Sequence, residues 1–176
     1  MNRAETGGGL GSHLRIHLKK GRDGPPTLAC IRADGTRTWG KLHPFFPVHD
    51  LTHCAVESIL GFDHAFFGLV ASGWNIDDFA APGAAARLPI QALLAEHIVG
   101  LLDQERARGQ VYSTTEFNQA LVGARQGRGP VEIPPLDDTG LARIRALRDD
   151  LQARWLAVPL GGTLEVTFPA AATPQG

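Results

Sequence analysis

Two stretches at opposite ends of the chain alternate apolar and polar residues, and the long middle does not. Near the N-terminus Leu14, Ile16 and Leu18 interleave with His13, Arg15 and His17, and near the C-terminus Leu164, Val166 and Phe168 alternate with Glu165 and Thr167. Successive side chains of a strand point to opposite faces, so each stretch reads as a half-buried strand. The turn-forming run Gly21 to Pro26 leads to a second strand over Thr27–Ala33. Asp34-Gly35 is a two-residue hairpin signal that leads into a third strand over Thr36–Leu42. The C-terminal strand has no neighbour in sequence, and a lone strand is unstable. It can pair only with the N-terminal meander. The fold class this predicts is α+β: an N-terminal three-stranded antiparallel meander joined by a C-terminal strand, packed with about five helices.

Between the two ends the apolar period becomes helical. Pro44 and Pro47 bracket Phe45-Phe46 in an extended lead. A helix is expected over Val48–Leu60, closed by Gly61, and another over Ala65–Gly73. Trp74–Arg87, with Asp77, Asp78, Pro82 and Gly83, reads as a surface loop. Ile90, Leu93, Leu94, His97, Ile98, Leu101 and Leu102 recur at helical spacing behind Pro89, up to Gly109. Ser113-Thr114-Thr115-Glu116 is a capping box for a shorter helix reaching Ala124. Gly127–Pro135 reads as a loop. Asp138 or Thr139 can cap a long helix with Leu141, Ile144, Leu147, Leu151 and Trp155 as its buried stripe, its Arg/Asp pattern being a solvated face.

A length of 176 residues with 43% hydrophobic content fits one core. The expected organisation is a flexible tail over 1–11, a single α+β domain over 12–168 and a loose tail over 169–176. The formal net charge of -1 offers no overall basic balance, so no nucleic-acid partner is expected. No apolar run reaches the roughly 18 to 20 residues of a bilayer span, so no membrane partner is expected either. The Gly-rich start lacks the apolar core of a signal peptide, and a cytoplasmic location follows as the default. Cys30 and Cys54 form no CxxC pair and read as small buried thiols. No phosphate-binding, dinucleotide-binding or serine-hydrolase motif stands in the chain.

The chemistry concentrates in His43 to His64, where four of the seven histidines fall within 22 residues. In His49-Asp50-Leu51-Thr52-His53, the two histidines are four apart and share a helix face, the spacing by which metalloenzyme helices present two imidazoles to one ion. The expected ligands are His49, His53 and His64, with a divalent metal as cofactor: zinc first, iron or manganese as alternatives. Asp50 is the candidate general base, ligand or acceptor for a histidine N–H. Glu57 is a second candidate catalytic carboxylate, although it lies about 12 Å along the axis from His49. Two arrangements remain open. His49 and His53 can take a third ligand from another element, such as His43 or His97; alternatively His53 and Glu57 can meet His64 or Asp63, returned across the turn at Gly61. Against these stands the structural alternative, in which the histidines cap helices, bond carbonyls or face water, and His97 is a satisfied core residue. His13 and His17 read as exposed strand residues. Arg125 and Arg128, flanked by glycines, are candidates for an anionic substrate, though an exposed loop explains them as well.

The His49-Asp50-Leu51-Thr52-His53 segment resembles the HDxxH part of the zinc motif of a set of ubiquinone-biosynthesis proteins, over five residues; the distal Glu of that motif falls on Ala65, with Asp63 and His64 just before it. It also resembles the adjacent His-Asp pair of the HD phosphohydrolases, with His43 and Asp63 at the upstream and downstream positions. Those likenesses imply zinc binding or phosphoester hydrolysis respectively, and neither assigns a family. The function expected is a small metal-dependent enzyme, a hydrolase or lyase, acting on a small-molecule substrate. The alternatives are a non-catalytic partner-binding protein with a structural metal or none, and an HD-type metal phosphohydrolase. A homo-oligomer is compatible with the sequence.

Overall fold

In the computed structural model, which describes residues 13–124 and 135–170, strands form where the alternation is clearest. They are β1 (His13–Lys19), β2 (Thr27–Ile31), β3 (Arg37–Lys41) and β4 (Thr163–Pro169). They make one antiparallel sheet in the order β3-β2-β1-β4. The C-terminal strand thus pairs with β1, Leu18 opposite Leu164 and Leu14 opposite Phe168. The α+β class and the joining of the two chain ends are as the sequence predicts. The Arg125/Arg128 segment, nearly all of the Gly127–Pro135 loop and most of the two expected tails lie outside the described residues.

Six α-helices are found among the described residues: α1 (Phe46–Leu60), α2 (Phe66–Ala71), α3 (Ala84–Arg87), α4 (Ile90–Arg108), α5 (Thr114–Ala124) and α6 (Asp138–Ala157). Helix α1 begins two residues earlier than expected. Pro47 is accommodated in its first turn, where a backbone N–H has no partner to lose. Gly61 ends it at φ 66°, the left-handed conformation that glycine adopts freely. The expected loop over Trp74–Arg87 contains a 3-10 helix (Ile76–Ala80) and α3. Asp78 caps the first of these by accepting the Asn75 backbone N–H at 2.7 Å. The α6 cap is Asp137, one residue before those expected; its Oδ1 accepts the Gly140 N–H at 2.6 Å.

Helix α1 lies between two apolar clusters. On one side Leu51, Cys54 and Ala55 pack with Leu14, Ile16, Leu18, Leu28 and Phe168 of the sheet. On the other, Val56 packs with Leu94, Ile98 and Leu102 of α4, Phe117 of α5, and Leu141 and Ile144 of α6. Each of the Leu, Ile, Val and Phe side chains contributes roughly 1.5–3 kcal/mol when fully buried. The polar face expected for α6 is not wholly solvated. Arg148 is buried and Arg145 partly so, and both converge on the buried Glu105 of α4, with Arg145 Nε donating to Oε2 at 3.2 Å. Taking these charges from water would be costly without such pairing.

Candidate metal centre

Residues 50–57 of α1 are all buried, on every side of the helix. Helices buried all round are normally apolar throughout. This one carries Asp50, Thr52, His53 and Glu57 inside. Thr52 is satisfied locally, its hydroxyl donating to the Val48 carbonyl at 3.0 Å. The ionisable three belong to a larger cluster formed where α1 packs against α4.

His53 is fully enclosed. Its Nδ1 lies 3.2 Å from Glu57 Oε1 and its Nε2 3.4 Å from Glu96 Oε1 of α4. The other Glu57 oxygen accepts the backbone N–H groups of Phe67 at 2.8 Å and Gly68 at 3.3 Å. Glu57 is therefore held at both ends and holds His53 in turn. The chain reaches this carboxylate through a tight return: a Cβ on Gly68 would meet the Asp63 carbonyl oxygen at 2.4 Å, so only glycine fits there. His49, one turn earlier, is partly exposed, and its Nδ1 pairs with Asp103 Oδ2 of α4 at 2.8 Å. The two imidazole centroids are 4.8 Å apart.

His49, His53 and Glu96 are a group whose potential ligand atoms all lie within 4.8 Å of one another. The remaining ligand candidates do not join it. His64 is exposed and pairs with its neighbour Asp63 at 2.6 Å. His43 stacks on Phe45 at the surface, ring centroids 5.3 Å apart. His97 is half-buried beside Glu96 but is not in the group. The third potential donor of the group is Glu96, which the sequence reading did not single out. It is the residue before His97 on the expected helix, and only the packing of α4 on α1 brings it to the imidazoles.

The electrostatics are uneven. Four carboxylates (Asp50, Glu57, Glu96 and Asp103) lie around two imidazoles, and Arg106 Nε stands 3.8 Å from Asp103 Oδ1. Burial disfavours the charged form of His53, but its hydrogen bonds to Glu57 and Glu96 and their charges outweigh that and hold its pKa up at about 10. The hydrogen bond to His53 lowers Glu96 below the ordinary carboxylate range, against partial burial. Burial raises Asp50 to about 6, against the pull of His53 and His49. Asp50 Oδ2 is buried without a hydrogen-bond partner, which is unusual in a folded interior. Cys54, next to His53, is buried, and burial first pushes its thiol up to about 12, away from nucleophilic chemistry.

Comparison of the chain with protein-family models, with curated proteins and with solved structures returns no match to any of the three.

Proposed function

We propose that the protein binds one divalent metal ion through His49, His53 and Glu96 and uses it as a small metal-dependent enzyme, a hydrolase or lyase. One observation carries this reading: Nδ1 of each imidazole is paired with a carboxylate, His49 with Asp103 and His53 with Glu57. That leaves Nε2 of each ring free to ligate, and His53 Nε2 lies 3.4 Å from Glu96 Oε1. Metal-ligating histidines are habitually oriented by such a carboxylate on the far nitrogen. Two imidazoles and one carboxylate suit zinc, and also iron or manganese. Three protein ligands leave a coordination position open, and Glu96 is exposed, so the position would face solvent. A bound ion would lower the pKa of its water and supply a nucleophile near neutral pH. Glu57, with both oxygens engaged, orients His53 in this reading. Asp50, with its unpartnered oxygen, is the carboxylate available to accept a proton. The HD-type phosphohydrolase alternative requires Asp50 as a direct ligand, and Asp50 is not in the donor group.

The non-catalytic alternative draws on the His53–Glu96 contact of 3.4 Å, which makes a charged imidazole between two carboxylates self-sufficient without metal. Elemental analysis and titration calorimetry with Zn²⁺, Mn²⁺ and Fe²⁺ on untagged protein separate the two. One equivalent bound is expected, with affinity falling at least 100-fold in His49→Ala, His53→Ala and Glu96→Ala. Glu96→Ala is the cleanest variant, because that side chain is exposed and its loss leaves the core intact. A wild-type protein that takes up none of these ions after reconstitution would sink the metal reading.

A further inference from the structure

The sheet packs one face on the helices and turns the other outward. The strand register assembles that outer face in rows. Arg37, Ile31, Arg15 and Thr167 lie side by side; then Trp39, Ala29, His17 and Glu165; then Lys41, Thr27, Lys19 and Thr163. Arg15, Lys19, Arg37 and Lys41 are all exposed, and none has a carboxylate partner among the described residues; the carboxylate of the face, Glu165, lies 3.8 Å from His17 Nε2. Residues four apart on a strand are about 13 Å apart, and β1 and β3 are separated by about 10 Å across β2. The four cations thus mark the corners of a rectangle of about 13 by 10 Å. On one edge of it, midway between Arg37 and Lys41, stands Trp39, 52% exposed. Its neighbour across the strand is the small Ala29, so no bulky side chain crowds the indole from that side. At the Lys19 corner a cavity of about 410 Å³ opens, lined also by Arg22 and Thr27.

We propose that this face binds single-stranded nucleic acid. An antiparallel sheet face with an exposed aromatic ring and surrounding cations offers the two things an unpaired strand requires: a platform for a base to stack on, and positive charge for its phosphates. Among the described residues, four unpaired cations against the single carboxylate Glu165 give the charge complementarity. The net charge of the chain, -1, hides this, because the period of two sends the cations to one face of the sheet while the acidic excess lies elsewhere. An anionic bilayer is a poorer match, since among the described residues Trp39 is the one large, well-exposed apolar side chain on the face.

The test is fluorescence anisotropy of fluorescein-labelled dT12 and U12 with the untagged 176-residue chain at 50 mM salt, with tryptophan emission followed in parallel. Saturable binding is expected, weakening with salt at a slope of about -3 if four phosphates are neutralised. Trp39→Ala should weaken it by roughly 5- to 100-fold, the usual worth of one stacked base, and Trp39→Phe should restore most of that. The double variant Arg15→Glu, Lys41→Glu should weaken binding at least tenfold. All these side chains are exposed, and far-UV circular dichroism checks that the fold persists. Absence of saturable binding to either oligonucleotide overturns the proposal. So does binding that is unaltered in the Trp39 and charge-reversed variants. Co-sedimentation with phosphatidylserine vesicles, lost in the same variants while the oligonucleotides fail to bind, overturns it in favour of a membrane surface.

Discussion

Asp50 sits in an interior that penalises its charge, beside imidazoles that favour it, and its Oδ2 has no partner. The penalty wins, and its pKa rises to about 6 against an ordinary carboxylate value of 3.8. An acid whose folded pKa is raised binds its proton more tightly in the folded state. Its ionised form therefore opposes folding, increasingly as pH climbs from about 4 through 6 and fully above that. Removing the charge should help the fold. Asp50→Asn is expected to stabilise the metal-free protein at pH 7.5 by on the order of 1–3 kcal/mol, read by urea denaturation. The same substitution should lower turnover of any hydrolysed substrate by at least 100-fold if Asp50 accepts a proton there. A residue that costs stability and supports activity is what a functional site leads one to expect. Loss of stability in Asp50→Asn would show that the carboxylate is structural. The sequence singled out Asp50 by its position between two histidines. It could not show that the residue lies inside the molecule with an oxygen unpaired, because that depends on what packs around α1.

At the scale of elements, α4 contributes most and announces least. Its apolar stripe was legible as a helix from Pro89 to Gly109, and the structure gives Ile90–Arg108. Three of its carboxylates do work that the stripe does not reveal. Glu96 and Asp103 face the histidines of α1, and Glu105 receives Arg145 and Arg148 of α6. Glu105 also accepts the Tyr112 backbone N–H at 3.0 Å, which fixes the turn into α5. Glu105→Ala should cost about 3–5 kcal/mol, because it strands two arginines in a largely buried place. Glu105→Gln, which keeps the hydrogen bond to Tyr112, should cost less. Chemical denaturation of both variants checks this, and equal small losses would mean that water already screens the arginines. Helix α6 carried the complementary misreading. Its Arg/Asp pattern looks uniformly solvated in sequence, since a charged residue by itself gives no sign of an opposite charge on a distant helix.

At the scale of the whole molecule, the proposed metal site would link ion binding to protonation and stability. His53 in the metal-free protein has a pKa held up at about 10, above its ordinary 6.5. A base with a raised folded pKa adds stability that is fully present below its unfolded value and is lost as pH rises through the folded one. The metal-free protein should therefore lose stability between about pH 7 and 10, and a His53→Gln variant should lack that component. A metal ion needs the neutral ring, so zinc binding near pH 7.5 should release a proton. Calorimetry in two buffers of different ionisation enthalpy would detect it as a buffer-dependent heat; identical heats would place the proton elsewhere. Zinc at about 100 times its dissociation constant should also raise the unfolding free energy by about 2.7 kcal/mol.

The sequence by itself determined the strands, most of the helices and the meeting of the two chain ends. Those rest on periodicity and on turn and cap residues such as Asp34-Gly35, Gly61 and Ser113, which act over a few positions. It also determined that His49 and His53 share a helix face, a matter of helical pitch alone. Only the tertiary structure decided that Glu96 stands beside them, that Glu57 and Asp103 hold their far nitrogens, and that His64 stays outside with Asp63. The outer face of the sheet follows the same division: the alternation sets which residues of each strand share a face, while the pairing order and register decide that Arg15, Lys19, Arg37, Lys41 and Trp39 become neighbours. The reason is that contacts between elements depend on how whole surfaces fit together, and a single residue on a surface leaves no periodic trace of the partner it will meet.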